Sequence, residues 1–236
     1  MSCVPRRRDP PLRPRRSRTP CPPLQRRTHP PWPREQARRS VSLLETRHSH
    51  GLDQFCASLE ERPGLSILDL AGASQATVSF LTNYGHRLYT NDLIHQLDVC
   101  FSEGDFYENQ ANPLMVSKFL ENALSFPEKN FDAALVWDTL QFLSVPLLNT
   151  FVERLHRVLR PGGCMLAFFH AEERVDTIPT YSYRISDHHT IGMVARGRRR
   201  PAQFFNNRSL ERLFQDFESI KFFLARDHFR EVIVRR

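Results

Sequence analysis

From residue 65 onward the apolar positions of this chain alternate between short runs of strand length and longer stretches with helical spacing. Leu65 to Leu70, Phe131 to Trp137 and Cys164 to Phe169 read as buried strands, and His86 to Asn91 as a strand ending in Asp92. Between them, Gln75 to Tyr84 predicts a helix with Val78, Phe80 and Leu81 apolar and Gly85 as its C-cap. Residues 93–101 predict another helix. Pro146 to Leu159 predicts an amphipathic one with Leu148, Phe151, Leu155 and Leu159 on one side. Arg160-Pro161-Gly162-Gly163 then stops the helix and turns the chain.

Other stretches are less regular. Residues 42–59 predict a lead-in helix from Leu43, Leu44, Leu52, Phe55 and Leu59. Residues 104–127 favour a helix over 113–122, with a strand as the alternative, and residues 171–207 form a long polar region. The chain closes with a helix from Ser209, as N-cap, to Phe217, and with strands over residues 218–225 and 229–235 joined around Asp227-His228. Strands that alternate with helices imply a parallel sheet covered on both faces, whereas the short final link makes the last pair antiparallel. The expected class is α/β.

Composition changes the picture mainly at the N-terminus. The formal net charge of the 236 residues is +7, which suggests a nucleic-acid partner until it is localised. Residues 1–40 hold 12 Arg and 10 of the 17 Pro against only Asp9 and Glu35, a net of +10. The remainder has 21 basic and 24 acidic residues, a net of −3, so the folding part is mildly acidic. With little apolar area to offset its ordering entropy, the 1–40 segment is expected to be a disordered Arg/Pro-rich tail. A basic arm for RNA or membrane, a polyproline ligand, or a stretch upstream of a true start near Val41 are the other readings. The domain is expected over 41–236, with 171–207 as a polar insertion.

The five cysteines (Cys3, Cys21, Cys56, Cys100, Cys164) contain no C-x-x-C pair, so neither a zinc knuckle nor a disulfide framework is expected, and no metal. No apolar run has the length of a membrane helix, and no apolar segment follows the N-terminal arginines. A soluble cytoplasmic protein without a membrane partner is the expectation.

Three local patterns carry a family resemblance, which runs from about Leu65 to the C-terminus. Ile67-Leu68-Asp69-Leu70-Ala71-Gly72-Ala73 is an apolar strand running into a D-x-G-x-G-like turn. Leu124-Ser125-Phe126-Pro127, Phe131-Asp132 and Asp138-Thr139-Leu140 form a second match. Leu155 to Gly163, with Arg157-Val158-Leu159-Arg160-Pro161-Gly162-Gly163, is the most specific. On these the chain resembles the class I S-adenosylmethionine-dependent methyltransferases (the type 11/25-like group). The resemblance implies a Rossmann-like three-layer sandwich with a mostly parallel seven-stranded sheet and a C-terminal antiparallel hairpin strand. It implies S-adenosyl-L-methionine as cofactor and an unidentified O, N or C methyl acceptor, such as a small molecule.

Ligands of open α/β sheets bind beyond the carboxyl ends of the strands. Asp69, Ala71, Gly72 and Ala73 would therefore form the loop under the methionyl end. Asp92, 20 residues after Gly72, would accept the ribose hydroxyls. The family pattern puts Glu121 or Asn122 near the adenine, and Trp137 and Asp138 at the methyl-transfer pocket. No catalytic residue is assigned, because in-line displacement from a sulfonium needs alignment before it needs acid or base. The family's glycines would fall at Ala71, Ala73 and Gln75, so the loop departs from the pattern.

Simpler roles exist for the same residues. Asp69 and Asp92 suit turns and helix caps, and Trp137 suits a core. Asp187-His188-His189 and the run Arg196-Gly197-Arg198-Arg199-Arg200 suit solvated loops, although the run could grip an anion, with Tyr181, Tyr183 and Phe204 beside it. Two rival functions follow: a catalytically degenerate scaffold or binding domain, motivated by the altered loop, and an RNA-binding or RNA-modifying protein using the basic tail. A nicotinamide dehydrogenase would want G-x-G-x-x-G where residues 71–76 read Ala-Gly-Ala-Ser-Gln-Ala.

Overall fold

A computed structural model describes residues 44–236 apart from residue 61, residues 173–174 and residues 225–228. The expectations for the 1–40 tail, for Leu43 and for the Asp227-His228 link lie outside the described residues. In chain order the elements are β1 (Leu44–His48), α1 (His50–Leu59), β2 (Ser66–Asp69), α2 (Gln75–Asn83), β3 (Arg87–Thr90), α3 (Leu93–Phe101), α4 (Phe106–Asn109), α5 (Pro113–Leu124) and β4 (Phe131–Trp137). A 3₁₀ turn (Thr139–Phe142), α6 (Val145–Val158), β5 (Leu159–His170), β6 (Ile178–Ile185), β7 (Thr190–Arg199), α7 (Asn207–Leu213), β8 (Ser219–Leu224) and β9 (Phe229–Arg235) follow.

The central sheet has six strands in the order β3-β2-β4-β5-β9-β8. The first four are mutually parallel, and β9 runs antiparallel to both β5 and β8. Side chains of a strand alternate between faces, and the core follows that rule. Leu68, Leu70, Ala134 and Val136 pack on one face against α3, α5, α6 and α7. Ile67, Ala133, Leu135 and Trp137 pack on the other with Leu52 and Phe55 of α1, Leu81 of α2 and Tyr183, Ile185, Ile191 and Met193. The expected three layers are present, with the C-terminal hairpin antiparallel.

The expected seventh strand is absent among the described residues. The ambiguous stretch folds as α4 and α5. Asn112 accepts from the Leu114 N–H at 3.0 Å and Pro113 opens the first turn, while Phe119, Ala123 and Leu124 are buried. Nor is residue 42–59 one helix. Leu44–His48 is a strand because β7 supplies an antiparallel partner, and the helix begins only after Ser49 caps it. Its partner lies about 150 residues on in the sequence, beyond the reach of a local pattern.

The polar region also differs from expectation. Residues 178–199 are a hairpin, β6 and β7, which with β1 makes a second, three-stranded antiparallel sheet in the order β1-β7-β6. The last helix starts and ends earlier than expected as well, running from Asn207 to Leu213 instead of from Ser209 to Phe217. Asn206 is its N-cap and Ser209 sits at N3, the two exchanging hydrogen bonds in a capping box. No helix among the described residues is long and apolar enough to cross a membrane.

A buried carboxylate is one of the ties between the second sheet and the first. Glu231 on β9 pairs with Arg47 of β1 and accepts from Ser49 Oγ at 2.9 Å and the Gly51 N–H at 2.5 Å. Any Cβ on Gly51 would lie 2.7 Å from Leu166 and 2.8 Å from Glu231, so glycine is required there. The Arg47 guanidinium also lies 4.8 Å from the Phe229 ring centroid. Glu231→Ala is therefore expected to destabilise the domain by about 3–5 kcal/mol, because it removes the carboxylate that meets a buried guanidinium, a hydroxyl and a backbone N–H. Urea denaturation checks this, with Glu231→Gln expected to cost less because its amide oxygen still accepts from Ser49 and Gly51.

Candidate functional site

The carboxyl ends of β3, β2 and β4 lie side by side, because β2 is parallel to both neighbours. Each ends in or just before an aspartate: Asp92, Asp69 and Asp138. The link after β2 turns sharply against the end of β3. Ala71 bridges to Asp92, and the Gly72 N–H donates to the Asn91 carbonyl at 3.1 Å. Gly72 has φ +86°, and a Cβ there would meet the Asp92 side chain at 3.2 Å, so this one position needs glycine. Ala71 and Ala73 do not have positive φ, which is why the loop tolerates alanine at both. Gln75 begins α2, with its side-chain amide donating to Ser79 Oγ at 3.0 Å.

Asp69 fixes this loop. Its Oδ1 accepts from the Ala71 N–H at 3.0 Å and from Trp137 Nε1 at 2.7 Å. Burial pushes its carboxyl up to about 6; the two hydrogen bonds pull the other way, and the nearby charge of Asp92 adds to the rise. Trp137 is fully buried at φ +56°, a conformation that a bulky residue adopts only where its surroundings impose it. They do so twice, through the bond to Asp69 and through a stack on Tyr183 of β6, with ring centroids 4.5 Å apart and planes within 7°.

Asp138 comes next in the chain and is 1% exposed. Burial pushes its carboxyl up to about 7, opposed by the Tyr183 hydroxyl, its own backbone and Arg196. The Asp138 carboxyl and the Tyr183 hydroxyl lie close enough to influence each other, and neither Asp138 Oδ2 nor Tyr183 Oη has any other hydrogen-bond partner among the described residues. Gln141 lies three residues along the 3₁₀ turn, where side chains eclipse, so it shares a side of the turn with Asp138. Its Oε1 accepts from the His170 N–H at 3.1 Å and its Nε2 is unpartnered among the described residues.

Asp92 is engaged differently. Its Oδ1 caps α3 by accepting from the His95 N–H at 3.0 Å, the simple role its residue type suggested. Both of its oxygens also meet Arg196 of β7, at 2.9 and 2.8 Å. Two more arginines of the same run are occupied. Arg199 pairs with Asp98 and lies over Phe106, while Arg198 Nε donates to Thr177 Oγ1 at 3.0 Å. The run is thus part of a strand, and it is not the solvated loop that charge alone suggested.

Of the residues expected at the site, Asp69, Ala71, Gly72, Asp92, Trp137 and Asp138 are brought together, with Ala73 exposed at the mouth of the loop. Glu121 is not. It is exposed on α5, where its carboxylate accepts from Ser117 Oγ at 3.3 Å, and the helix meets β3 through the Asn122 carbonyl, which takes the Asn91 amide at 2.8 Å. His188 rests against Phe80 and Tyr84, at ring distances of 5.5 and 5.1 Å. Four cavities, the roomiest about 640 Å³ between α6 and α7, are lined by residues other than Asp69, Asp92 and Asp138. Gln141 carries no signal in the sequence, and Arg196 stands there only as part of a run able to grip an anion; pairing with β6 and the 3₁₀ turn place the two.

Residues 68–167 match the family model described as a methyltransferase domain. No curated protein matches the chain. Solved structures similar to it include the 1,6-didemethyltoxoflavin-N1-methyltransferase of Burkholderia thailandensis with bound 1,6-didemethyltoxoflavin and S-adenosylhomocysteine, at 17% identity over 79% of this chain and 76% of that one, TM-score 0.45. Others are an S-adenosylmethionine-dependent methyltransferase of Aquifex aeolicus (14% identity, 78% and 88% covered, TM-score 0.40) and one of Methanosarcina mazei (14%, 74% and 93%, TM-score 0.43). The matched stretch runs from β2 to β5, the parallel half of the central sheet, and includes Asp69, Asp92, Trp137 and Asp138.

The two raised carboxyls set a pH dependence. Asp69 and Asp138 hold their protons to about 6 and about 7 in the fold, against about 3.9 in an unfolded chain. The folded state therefore binds more protons across that window, and stability falls as pH rises through it, levelling off above the folded values. Asp138→Asn removes one of the two groups. Its stability in urea is expected to fall less than that of the wild type between about pH 5 and about pH 8.

Proposed function

We propose that this chain is an S-adenosylmethionine-dependent methyltransferase acting on a small polar acceptor that carries an O–H or N–H group. The observation that carries this reading is the meeting of Asp69, Asp92 and Asp138 at the carboxyl ends of three adjacent strands, where Asp138 is screened from water. Asp69 holds the Ala71-Gly72-Ala73 loop under the methionyl end of the donor. Asp92 takes the ribose hydroxyls, and Trp137 and Asp138 border the transferred methyl. Glu121 has no part in this reading.

The donor, when bound, supplies a methyl carbon on a positively charged sulfur, so the chain must mainly align the acceptor and exclude water. Asp138, poised near neutrality, takes the proton that an O–H or N–H acceptor gives up. Gln141 Nε2 offers a donor, and Tyr183 Oη a donor and an acceptor, to a polar molecule in their midst.

Calorimetric titration with S-adenosylhomocysteine is expected to show binding, and Asp69→Ala to weaken it by about 1–3 kcal/mol by unfastening the loop. Absence of both heat and thermal shift at millimolar ligand would refute the reading. Once an acceptor is found by screening, kcat of the wild type should rise with pH through about 7, the value at which Asp138 loses its proton. Asp138→Asn should lower kcat and abolish that limb.

A further inference from the structure

Arg196 does not belong to the regular ladder of its strand. Tyr181 pairs with Ala195 and Thr180 with Gly197, which leaves Arg196 as the extra residue of a β-bulge. A bulge re-aims the side chain it extrudes. Here it sends the guanidinium to the end of β3, onto both oxygens of Asp92. Three observations set this pair apart from one that merely holds the fold. Both side chains are 29% exposed, so solute reaches them and parting them leaves no buried charge unpaired. Asp92 caps α3 whether or not Arg196 is there. The hairpin is anchored independently, by Arg199 on Asp98 and Phe106 and by the Ile185 N–H on Thr77 Oγ1 at 3.1 Å.

We infer that Arg196 is a built-in gate on the nucleoside end of the cofactor site, occupying the two oxygens of Asp92 that ribose hydroxyls would take, so that the cofactor enters by displacing it. This rests on the proposed function, in which Asp92 is the ribose acceptor. A ligand that competes with an internal cation has its affinity reduced by the fraction of molecules in which the gate is shut. Salt weakens a half-exposed pair, and so favours the ligand. Arg196 also lies among the charges felt by Asp138. Its release from Asp92 thus leaves a cation beside the group that takes the acceptor's proton.

The test is calorimetric titration of S-adenosylhomocysteine into the full chain at low and high sodium chloride, for the wild type, Arg196→Gln and the double variant Arg196→Gln/Asp92→Ala, each with a thermal melt to show that it is folded. Arg196→Gln is expected to bind more tightly than the wild type, by about fivefold to a hundredfold. The wild type should gain affinity with salt where Arg196→Gln does not, and adding Asp92→Ala should remove the gain. Equal or weaker binding by folded Arg196→Gln overturns the gate while leaving the methyltransferase reading intact. Failure of every form to bind overturns both. If Arg196→Gln does not fold, Arg196→Met, which keeps an unbranched stem without the charge, decides the matter: affinity above that of the wild type supports the gate, and equal or weaker affinity overturns it.

Discussion

The site depends on one buried oxygen, Oδ1 of Asp69. A carboxylate withdrawn from water must be met by donors, and this one is met by two from different parts of the chain. The Ala71 N–H gives the loop its turn, and the Trp137 indole draws the end of β4 toward β2. The second contact explains why a tryptophan sits at φ +56°: the indole must reach across one strand spacing, and the extended backbone does not aim it there. Once placed, the indole is the platform on which Tyr183 stacks, and through Tyr183 the hairpin of the second sheet is seated over the strand ends.

That second sheet costs the protein an unusual attachment. Its three strands come from positions 44–48 and 178–199, so nothing local holds them to the central sheet. Glu231 is one tie, taking an arginine, a hydroxyl and a backbone N–H at once, beside the Tyr183 stack and the Ile185 N–H on Thr77. A buried ion pair is weak evidence for stability, and we read this one as specifying an arrangement. Here the arrangement specified is a cover over the edge of the sheet where a ligand of an α/β fold would bind. Cover and site share residues, Tyr183 beside Asp138 and Arg196 on Asp92, so any motion of one is felt by the other.

The central sheet was legible because its strands are short apolar runs and its helices amphipathic, both local signals. The Arg160-Pro161-Gly162-Gly163 turn and the D-x-G-x-G-like loop added a family pattern to them. What escaped was set by distant partners. Leu44–His48 has no strand signature of its own and pairs only because β7 lies alongside. Residues 178–199 are polar enough to read as loop, since one face of an antiparallel hairpin can be wet. At the site, the aspartates at the strand ends were legible, but their occupants were not. Whether Asp92 faces solvent, a helix N-terminus or an arginine depends on a one-residue bulge in a strand that the sequence does not advertise.

The altered glycine pattern of the loop acquires a different meaning from this geometry. Its threat to cofactor binding was steric, a matter of Cβ atoms at Ala71 and Ala73. Both residues sit at ordinary backbone angles, Gln75 turns its side chain along α2, and the one position that needs a left-handed conformation has kept its glycine. Under the proposed gate the obstacle to a ligand is electrostatic and lies opposite the loop, where Arg196 holds Asp92. The two kinds of obstacle differ in consequence. A Cβ in the wrong place is permanent, whereas an exposed ion pair opens and closes on its own and yields to a competitor. The alanines of the loop therefore leave its backbone turn intact, and by themselves they do not argue that a site has been lost.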